Sequence, residues 1–284
     1  MTFLRSPLGI ANRAKFSGAQ LLVYIEEAPN ARPTGNVDRV LWRRFFETFY
    51  PTTSVIFGPL GGKAHVLTAA AKLISGNIRN AVCALDRDYM DAFGGEIVDP
   101  HVLYTFGYGA ESDLYSRRSL AVAFEALMPG IADLERHRNR IWNHVKRTHT
   151  SMRPFLISDQ DAFSRSTNSV IDRDHPRTDF VHDAALPVNL DIARLNGRVA
   201  AIANLQVLTP ATAVLDNWYN LPSHSHQAIC YLTIARYVRA QGGPGVNEPN
   251  LLAVLFAASA GNFIGCLPRE AIPHYRRMGA RPLP

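Results

Sequence analysis

Lysine is scarce in this chain, although basic residues are not. Lys15, Lys63, Lys72 and Lys146 are the only lysines among 30 basic residues, so arginine supplies nearly all of the positive charge. The formal net charge is +6 and the sequence pI is about 9.4. The planar guanidinium of arginine binds phosphate through two parallel hydrogen bonds, which is compatible with a polyanionic partner such as nucleic acid. A GC-rich genome would give the same bias, so composition alone leaves both explanations open.

Cysteine and long apolar runs are also scarce. Cys83, Cys230 and Cys266 are odd in number, far apart and embedded in apolar sequence, which argues against disulfides or a zinc knuckle and predicts buried free thiols. No apolar run reaches the length of a membrane span, and no targeting segment, repeat or low-complexity tract is evident. We therefore expect a protein of the reducing cytoplasm without a membrane partner.

The first part of the chain alternates between strand and helix patterns. Strands are predicted over 21–27, 53–62, 81–85 and 101–116, and helices over 37–49, 63–76 and from 117 to about 127. Short connections between such elements require a parallel sheet with right-handed crossovers. The predicted fold class is therefore α/β with a parallel-sheet core.

The pattern changes near residue 128. Beyond it we expect an Arg- and His-rich helix over 131–149, an irregular stretch over 150–187, and helices near 189–207, 225–240 and 249–263. A chain of 284 residues is long enough for a second lobe. The sequence thus predicts an α/β domain at 1–128 and a mainly helical domain at 129–284.

Acidic side chains follow three of the predicted strands. Glu26 and Glu27 close the first, Asp86 and Asp88 the third, and Glu111 with Asp113 comes after the fourth. In a parallel sheet these ends lie on one edge, where ligands bind in open α/β folds. With no lysine beside the Asp86–Asp88 pair in the sequence, the carboxylates would repel unless a cation lies between them. Such oxygen ligands suit Mg²⁺ or Mn²⁺, although an isolated D-x-D is also a common polar turn.

Other motifs in the sequence are weaker evidence for a functional site. The turn from Gly58 to Lys63 lacks the spacing and the Ser or Thr of a nucleotide-binding P-loop, but Lys63 beside a helix N-terminus could contact a phosphate. A plain strand-to-helix turn explains it equally well. A second D-x-D, Asp172 and Asp174, reads as a surface turn. His224 and His226 could be a pair of metal ligands, but no third ligand is nearby in the sequence, which favours a helix-capping role. Asp38 and Asp91 are unremarkable by themselves.

The combination of a strand ending in Glu26, the Gly61-Gly62-Lys63 turn, Asp86-Arg87-Asp88 and the later Glu111 resembles the TOPRIM pattern of topoisomerases, primases and OLD-type nucleases. More closely, it resembles the DUF-type TOPRIM-like proteins that include the nuclease effector of PARIS anti-phage systems. The resemblance covers roughly residues 20–120. It implies a TOPRIM-like catalytic domain followed by a helical C-terminal domain.

The same resemblance implies a Mg²⁺- or Mn²⁺-dependent endonuclease. Glu26 would be general base or acid and a possible metal ligand, Asp86 and Asp88 would be catalytic metal ligands, Glu111 a further ligand, and Lys63 a phosphate contact. It also implies a toxic effector of phage defence that cleaves RNA, such as tRNA, or DNA. Its expected partners are nucleic acid, an ABC-type ATPase subunit that restrains it, and a second copy of the chain when active.

Two alternatives stay open at this point. A phosphotransferase of the haloacid-dehalogenase type also has a strand ending in D-x-D, although there the motif belongs on the first strand with a lysine downstream. A non-catalytic module could use the same acidic edge to dock a basic partner, and such a surface would need no divalent ion.

Overall fold

The computed structural model describes residues 16–28, 37–90, 94–165, 169–202 and 220–284. Within them four strands form one parallel sheet: β1 (Leu21–Ile25), β2 (Val55–Pro59), β3 (Ala81–Leu85) and β4 (Val102–Tyr104). The helices are α1 (Val37–Phe49), α2 (Lys63–Ser75), α3 (Ala110–Leu114), α4 (Arg117–Leu127), α5 (Leu134–Ser164), α6 (Ile192–Ala201), α7 (Ser223–Ala240), α8 (Glu248–Ala260), α9 (Phe263–Cys266) and α10 (Ala271–Gly279).

The sheet confirms the α/β class with a parallel core. Its strand order is β2-β1-β3-β4, and every neighbouring pair is parallel. β1 and β3 lie in the middle and are buried on both faces, which is why their sequences are continuous apolar runs rather than alternating ones. Their carboxyl ends therefore meet at the centre of one edge.

The fourth strand is shorter in the structure than the sequence predicts. β4 covers three residues, and the rest of 101–116 forms a glycine-containing loop followed by the short helix α3. Gly107 and Gly109 interrupt the apolar pattern, and glycine weakens a strand interior. Glu111 consequently lies in the first turn of a helix and not at a strand end.

The helix predicted over 131–149 is longer in the structure than the sequence predicts. It continues as α5 to Ser164 with Pro154 inside it, so residues 150–164 of the expected irregular stretch are helical. An internal proline costs about 3 kcal/mol, but the turns around it bury Met152, Phe155 and Leu156 in the core, which offsets that cost. The helices expected near 225–240 and 249–263 are confirmed as α7 and α8. Residues 29–36, Asp91 and residues 203–207 lie outside the described residues.

The two faces of the sheet bury different clusters. Leu22, Cys83 and Leu85 point to one face, which α2 covers, while Val23 and Val82 point to the other. This second face packs against α1 and the helices that follow α3, and the same cluster contains residues from both sides of position 128. The helices α1 and α10 touch through Phe45 and Tyr275, whose ring centroids are 6.0 Å apart. The hydrophobic core is thus continuous across position 128. The domain boundary there stays a prediction.

The three cysteines are free and buried, as the sequence predicts, and burial raises the pKa of each thiol. A separate search for membrane-crossing segments in the described residues finds no helix with the required length and apolarity.

A buried carboxylate joins α5 to the segment that follows β3. Asp159 is fully buried and accepts hydrogen bonds from the Tyr89 hydroxyl (2.7 Å), from the backbone amides of Val170 (2.7 Å) and Ile171 (3.0 Å), and from Arg173 (2.8 Å). Its charge is therefore compensated by one guanidinium and three donors. Removing it would leave Arg173 and two amides without their acceptor.

We predict that Asp159→Ala lowers the free energy of unfolding by about 3–5 kcal/mol, the usual cost of breaking a buried ion pair by removing one partner. The control is Asp161→Ala, two residues further along α5, where the carboxylate forms a partly exposed i,i+4 pair with Arg165. That control should cost only about 0.3–0.5 kcal/mol. Urea denaturation of both variants measures the difference, and equal losses would contradict the role given to Asp159.

Candidate active site

The ends of the two central strands are joined by a hydrogen bond. Glu26 directly follows β1, and Asp86 directly follows β3. The backbone amide of Asp86 donates to Glu26 Oε1 at 3.0 Å. This contact follows from the register, because β1 and β3 are parallel neighbours whose carboxyl ends lie side by side. The structure therefore brings these two predicted site residues together.

Glu27 lies elsewhere. Its carboxylate is buried and pairs with Arg39 of α1, with Glu27 Oε2 2.6 Å from Nη2 and 2.8 Å from Nε. Adjacent residues at a strand end point to opposite sides, so only one of the two glutamates can reach Asp86. The structure places Glu26 there, the glutamate that the TOPRIM resemblance also implies, and Glu27 pairs with α1 instead.

Lys63 lies against the D-x-D motif in the fold, although no lysine is beside the motif in the sequence. Its Nζ donates to Asp88 Oδ2 at 2.5 Å and to the backbone oxygen of Asp86 at 2.7 Å. Lys63 is the first residue of α2, and α2 follows β2 at the same edge of the sheet. The lysine offsets one carboxylate of the pair, and in this arrangement its ammonium is engaged with protein oxygens.

Asp86 and Asp88 do not share a face by strand alternation. β3 ends at Leu85, and Asp88 has φ = 51°, in the left-handed region that Asp and Asn tolerate better than most residues. Arg87 between them turns away, with Nη1 donating to the Phe106 carbonyl at 2.9 Å and Nε 2.7 Å from Glu96. The motif is thus a turn held from both sides, with its two carboxylates left at the edge.

The turn before α3 closes over Asp86. The amide of Ala110, the first residue of α3, donates to Asp86 Oδ1 at 3.2 Å. At Gly109 a Cβ would lie 2.6 Å from Asp86 Oδ2 and 2.7 Å from Ser223 Oγ, so this close approach requires glycine. Glu111 follows in the same helix and is 8% exposed, with Oε1 3.6 Å from His224 Nε2.

Asp38 is a member of the cluster that sequence reasoning missed. It lies in the first turn of α1. The negative charges of Glu26, Asp88 and Glu111 all repel its carboxylate. The available signal was positional: a helix that follows a parallel strand begins at the carboxyl edge, so an acidic residue in its first turn points towards that edge.

The pKa values show how crowded these charges are. Burial, followed by repulsion from neighbouring carboxylates, raises the pKa of Asp86 and the pKa of Asp38 well above the usual value for aspartate. Burial also raises the pKa of Glu26, with Asp88 adding to the shift and the Asp86 amide and Lys63 opposing it. Five carboxylates, those of Glu26, Asp38, Asp86, Asp88 and Glu111, therefore act on one another as a single acidic edge.

Asp113 does not belong to that edge, contrary to the expectation that it adds acid there. It is fully buried and accepts from the amides of Phe106 (2.8 Å) and Gly107 (3.0 Å) and from the Tyr275 hydroxyl (2.5 Å). Burial raises its pKa to about 6. Its oxygens are occupied in holding the loop after β4 against α10.

The second D-x-D is a turn, as predicted. Asp172 Oδ1 accepts from the amides of Asp174 and His175, and Arg198 pairs with Oδ2. The capping role expected for His224 and His226 is wrong: α7 begins at Ser223 after Pro222, and within the described residues its start has no side-chain cap.

The two histidines instead contact other segments. His224 Nδ1 donates to the Arg173 carbonyl at 3.0 Å, and buried His226 contacts the Tyr115 carbonyl through Nε2 at 2.9 Å. His224 is therefore part of the wall beside Glu111, and His226 is part of the core.

The acidic edge offers the donor chemistry of a divalent-cation site but not a ready-made geometry. Carboxylate oxygens are the ligands that Mg²⁺ and Mn²⁺ prefer, and the raised pKa values mark charge that a cation would relieve. Yet among the residues described, no group of three or more His, Cys, Asp or Glu side chains is arranged to hold a metal ion. Binding would have to draw the carboxylates together and release Asp88 from Lys63.

Comparison with protein-family models and with curated proteins finds no match to this chain.

We predict that Asp86→Asn raises the melting temperature, and does so more at pH 8 than at pH 5. A raised carboxyl pKa in the fold means that ionisation costs stability, so this cost is present above the folded-state pKa and disappears as the pH falls towards about 4. Each 1 kcal/mol relieved should add roughly 2–4 °C in a protein of this size.

Asp161→Asn in α5 is the matched control for loss of one negative charge, and its effect should be small at both pH values. Thermal melts followed by circular dichroism provide the measurement. A lower melting temperature for Asp86→Asn at pH 8 would show that the ionised carboxylate stabilises the fold.

Proposed function

We propose that this chain is a nuclease with a TOPRIM-like core that hydrolyses phosphodiester bonds with Mg²⁺ or Mn²⁺. The observation that carries the proposal is the acidic edge itself. Five carboxylates, from the ends of β1 and β3 and from α1 and α3, repel one another at the carboxyl ends of the parallel strands. One lysine lies among them. Acidic clefts of this kind serve phosphoryl transfer in many unrelated enzymes.

The residues have distinct roles in this proposal. Asp86, Asp88 and Glu111 would hold a bound cation, with Asp38 and Glu26 as the neighbouring carboxylates. When bound, the cation polarises a phosphate oxygen and lowers the pKa of a water molecule. Glu26 accepts or returns a proton, and its raised pKa brings that exchange nearer to neutral pH than for an exposed glutamate.

Lys63 has two positions in the proposed cycle. In the structure it neutralises Asp88, which limits repulsion while the edge is otherwise uncompensated. Released from Asp88, its ammonium would contact a phosphate oxygen at the N-terminus of α2, where the helix dipole also favours an anion. This exchange reconciles the predicted phosphate contact with the observed ion pair.

A phosphotransferase of the haloacid-dehalogenase type is a second candidate, favoured specifically by the Lys63–Asp88 pair of 2.5 Å. In that reaction a carboxylate attacks phosphorus and carries the phosphoryl group as an acyl phosphate. Treating the protein with a phosphomonoester and then with hydroxylamine distinguishes the two. Hydroxamate formation at Asp86 supports the phosphotransferase, and its absence with concurrent cleavage of nucleic acid supports the nuclease.

We further propose the biological role that the resemblance implies: a toxic effector of phage defence that acts on RNA such as tRNA, or on DNA, and that is restrained by an ABC-type ATPase. The arginine-rich composition is compatible with a nucleic-acid substrate.

We predict that the chain cleaves tRNA, single-stranded DNA or duplex DNA in Mg²⁺ or Mn²⁺ and not in EDTA. Glu26→Ala, Asp86→Ala and Asp88→Ala should each reduce cleavage by about 100-fold or more, because each removes a group that stabilises the transition state. Single-turnover rates with labelled substrates measure the effect.

Two controls separate chemistry from folding. Asp161→Ala should leave the rate unchanged, and Glu27→Ala should lower the melting temperature because it removes the buried ion pair between Glu27 and Arg39. Undiminished cleavage in excess chelator would rule out the metal-dependent mechanism. Binding of a basic protein that is equally tight in EDTA, together with no cleavage of any substrate, would favour a docking module.

We also predict that the chain purifies from its native host in a stable complex with an ATPase subunit. The P-loop pattern is missing from its sequence, so nucleotide-driven restraint would have to come from a partner. Affinity purification under conditions that preserve other complexes, followed by mass spectrometry, measures this. Recovery of the chain alone would contradict the proposed partnership.

A further inference from the structure

A cavity outside the acidic edge is lined mainly by cationic side chains. Its volume is about 550 Å³, and it lies between the start of α4, the first half of α5 and the segment before α10. None of the five carboxylates of the acidic edge lines it. Its cationic walls are Arg117, Arg118, Arg138, Lys146 and Arg269, against two glutamates.

Two of these cations are paired with other side chains, and three form no ion pair with any residue that the structure describes. Arg138 pairs with Glu125 at 2.6 Å, and Arg117 donates to Asn139. In the ranges that the structure describes, the side chains of Arg118, Lys146 and Arg269 form no ion pair, and all three residues are exposed. Like charges gathered around one cavity repel one another, and an anion bound among them would relieve that repulsion.

The walls of the cavity favour a ligand that has both a phosphate group and a flat aromatic ring. Arginine forks match phosphate oxygens through paired hydrogen bonds, and α4 directs the N-terminal end of its dipole at the cavity from Ser116, which caps the helix. Trp142 forms part of the same wall and is partly exposed. Indole rings provide a stacking surface for nucleic-acid bases. The volume is in the range of pockets that hold small organic ligands.

We propose that this cavity binds a nucleotide through its phosphate and base, either as a free nucleoside phosphate or as one unit of a single strand. Arg118 and Arg269 hold the phosphate, Lys146 adds positive charge, and Trp142 contacts the base. The proposal does not depend on the nuclease activity, because it concerns binding by residues outside the acidic edge.

The distance along the chain shows why a strand is a reasonable source of the nucleotide. Ser116, which lines the cavity, is five positions after Glu111 of the acidic edge, so their Cα atoms are at most about 18 Å apart. A single strand could therefore contact both places. A free nucleotide would occupy the cavity alone.

The test is isothermal titration calorimetry of the full chain in EDTA, which removes any contribution from metal-dependent cleavage. The ligands are AMP, ribose 5-phosphate, inorganic phosphate, and a short single-stranded oligonucleotide. We expect AMP to bind more tightly than ribose 5-phosphate, and inorganic phosphate to bind weakest. An oligonucleotide that binds more tightly than AMP identifies the strand as the source, whereas equal or weaker binding identifies the free nucleotide.

The variant Arg118→Ala/Arg269→Ala should weaken binding of AMP by about 10-fold or more, since hydrogen bonds between charged groups are lost. The matched control, Arg136→Ala/Arg140→Ala, removes the same charge from exposed positions of α5 that do not line the cavity and should have little effect. Lys146→Ala serves as an independent single change in an exposed side chain, with a smaller loss expected.

Trp142→Leu separates the two halves of the proposed contact. It should weaken binding of AMP and leave binding of ribose 5-phosphate unchanged, with the fold checked by circular dichroism. Equal affinity of the wild-type chain for AMP and ribose 5-phosphate would overturn the nucleotide assignment. So would equal losses in the cavity variant and its control.

Discussion

Crowding of negative charge at one edge of the sheet is the constraint on which the surrounding structure depends. A parallel sheet sends the end of every strand, and the start of every helix that follows, to the same edge. Glu26, Asp38, Asp86, Asp88 and Glu111 reach that edge from different parts of the chain, and burial adds to their mutual repulsion. Lys63 offsets only part of this charge. The remaining repulsion falls when carboxyl groups take up protons, and it would also fall if a cation bound among them.

The helical part of the chain contributes directly to the walls of the site. Ser223 and His224 at the start of α7 lie against Gly109 and Glu111, and α5 holds the segment after β3 through Asp159 and Tyr89. The positions of the carboxylates thus depend on contacts made by residues far along the chain. This explains why one hydrophobic cluster includes both the sheet and the helices beyond residue 128.

The central strands and their acidic ends could be predicted because the information is local. The run from Ala81 to Leu85 is apolar without interruption, and its neighbours Asp86 and Asp88 mark its end. Prediction failed where distant contacts decide the outcome. The interaction of Asp38 with Asp86 depends on how the sheet brings α1 and β3 together, and the lysine beside the D-x-D comes from a helix that begins more than twenty residues upstream. The helix α5 continues past Pro154 because tertiary burial outweighs a local preference.

The contact between α1 and α10 has a consequence for how the protein forms during synthesis. Phe45 packs against Tyr275, and the Tyr275 hydroxyl also holds Asp113 in the loop beside the acidic edge. Residues so distant in sequence meet late, since the chain between them must first leave the ribosome and loop closure must be completed. A nascent chain that lacks α10 already carries every acidic side chain of the edge, but that face of α1 is still uncovered and the loop before α3 lacks one of its anchors.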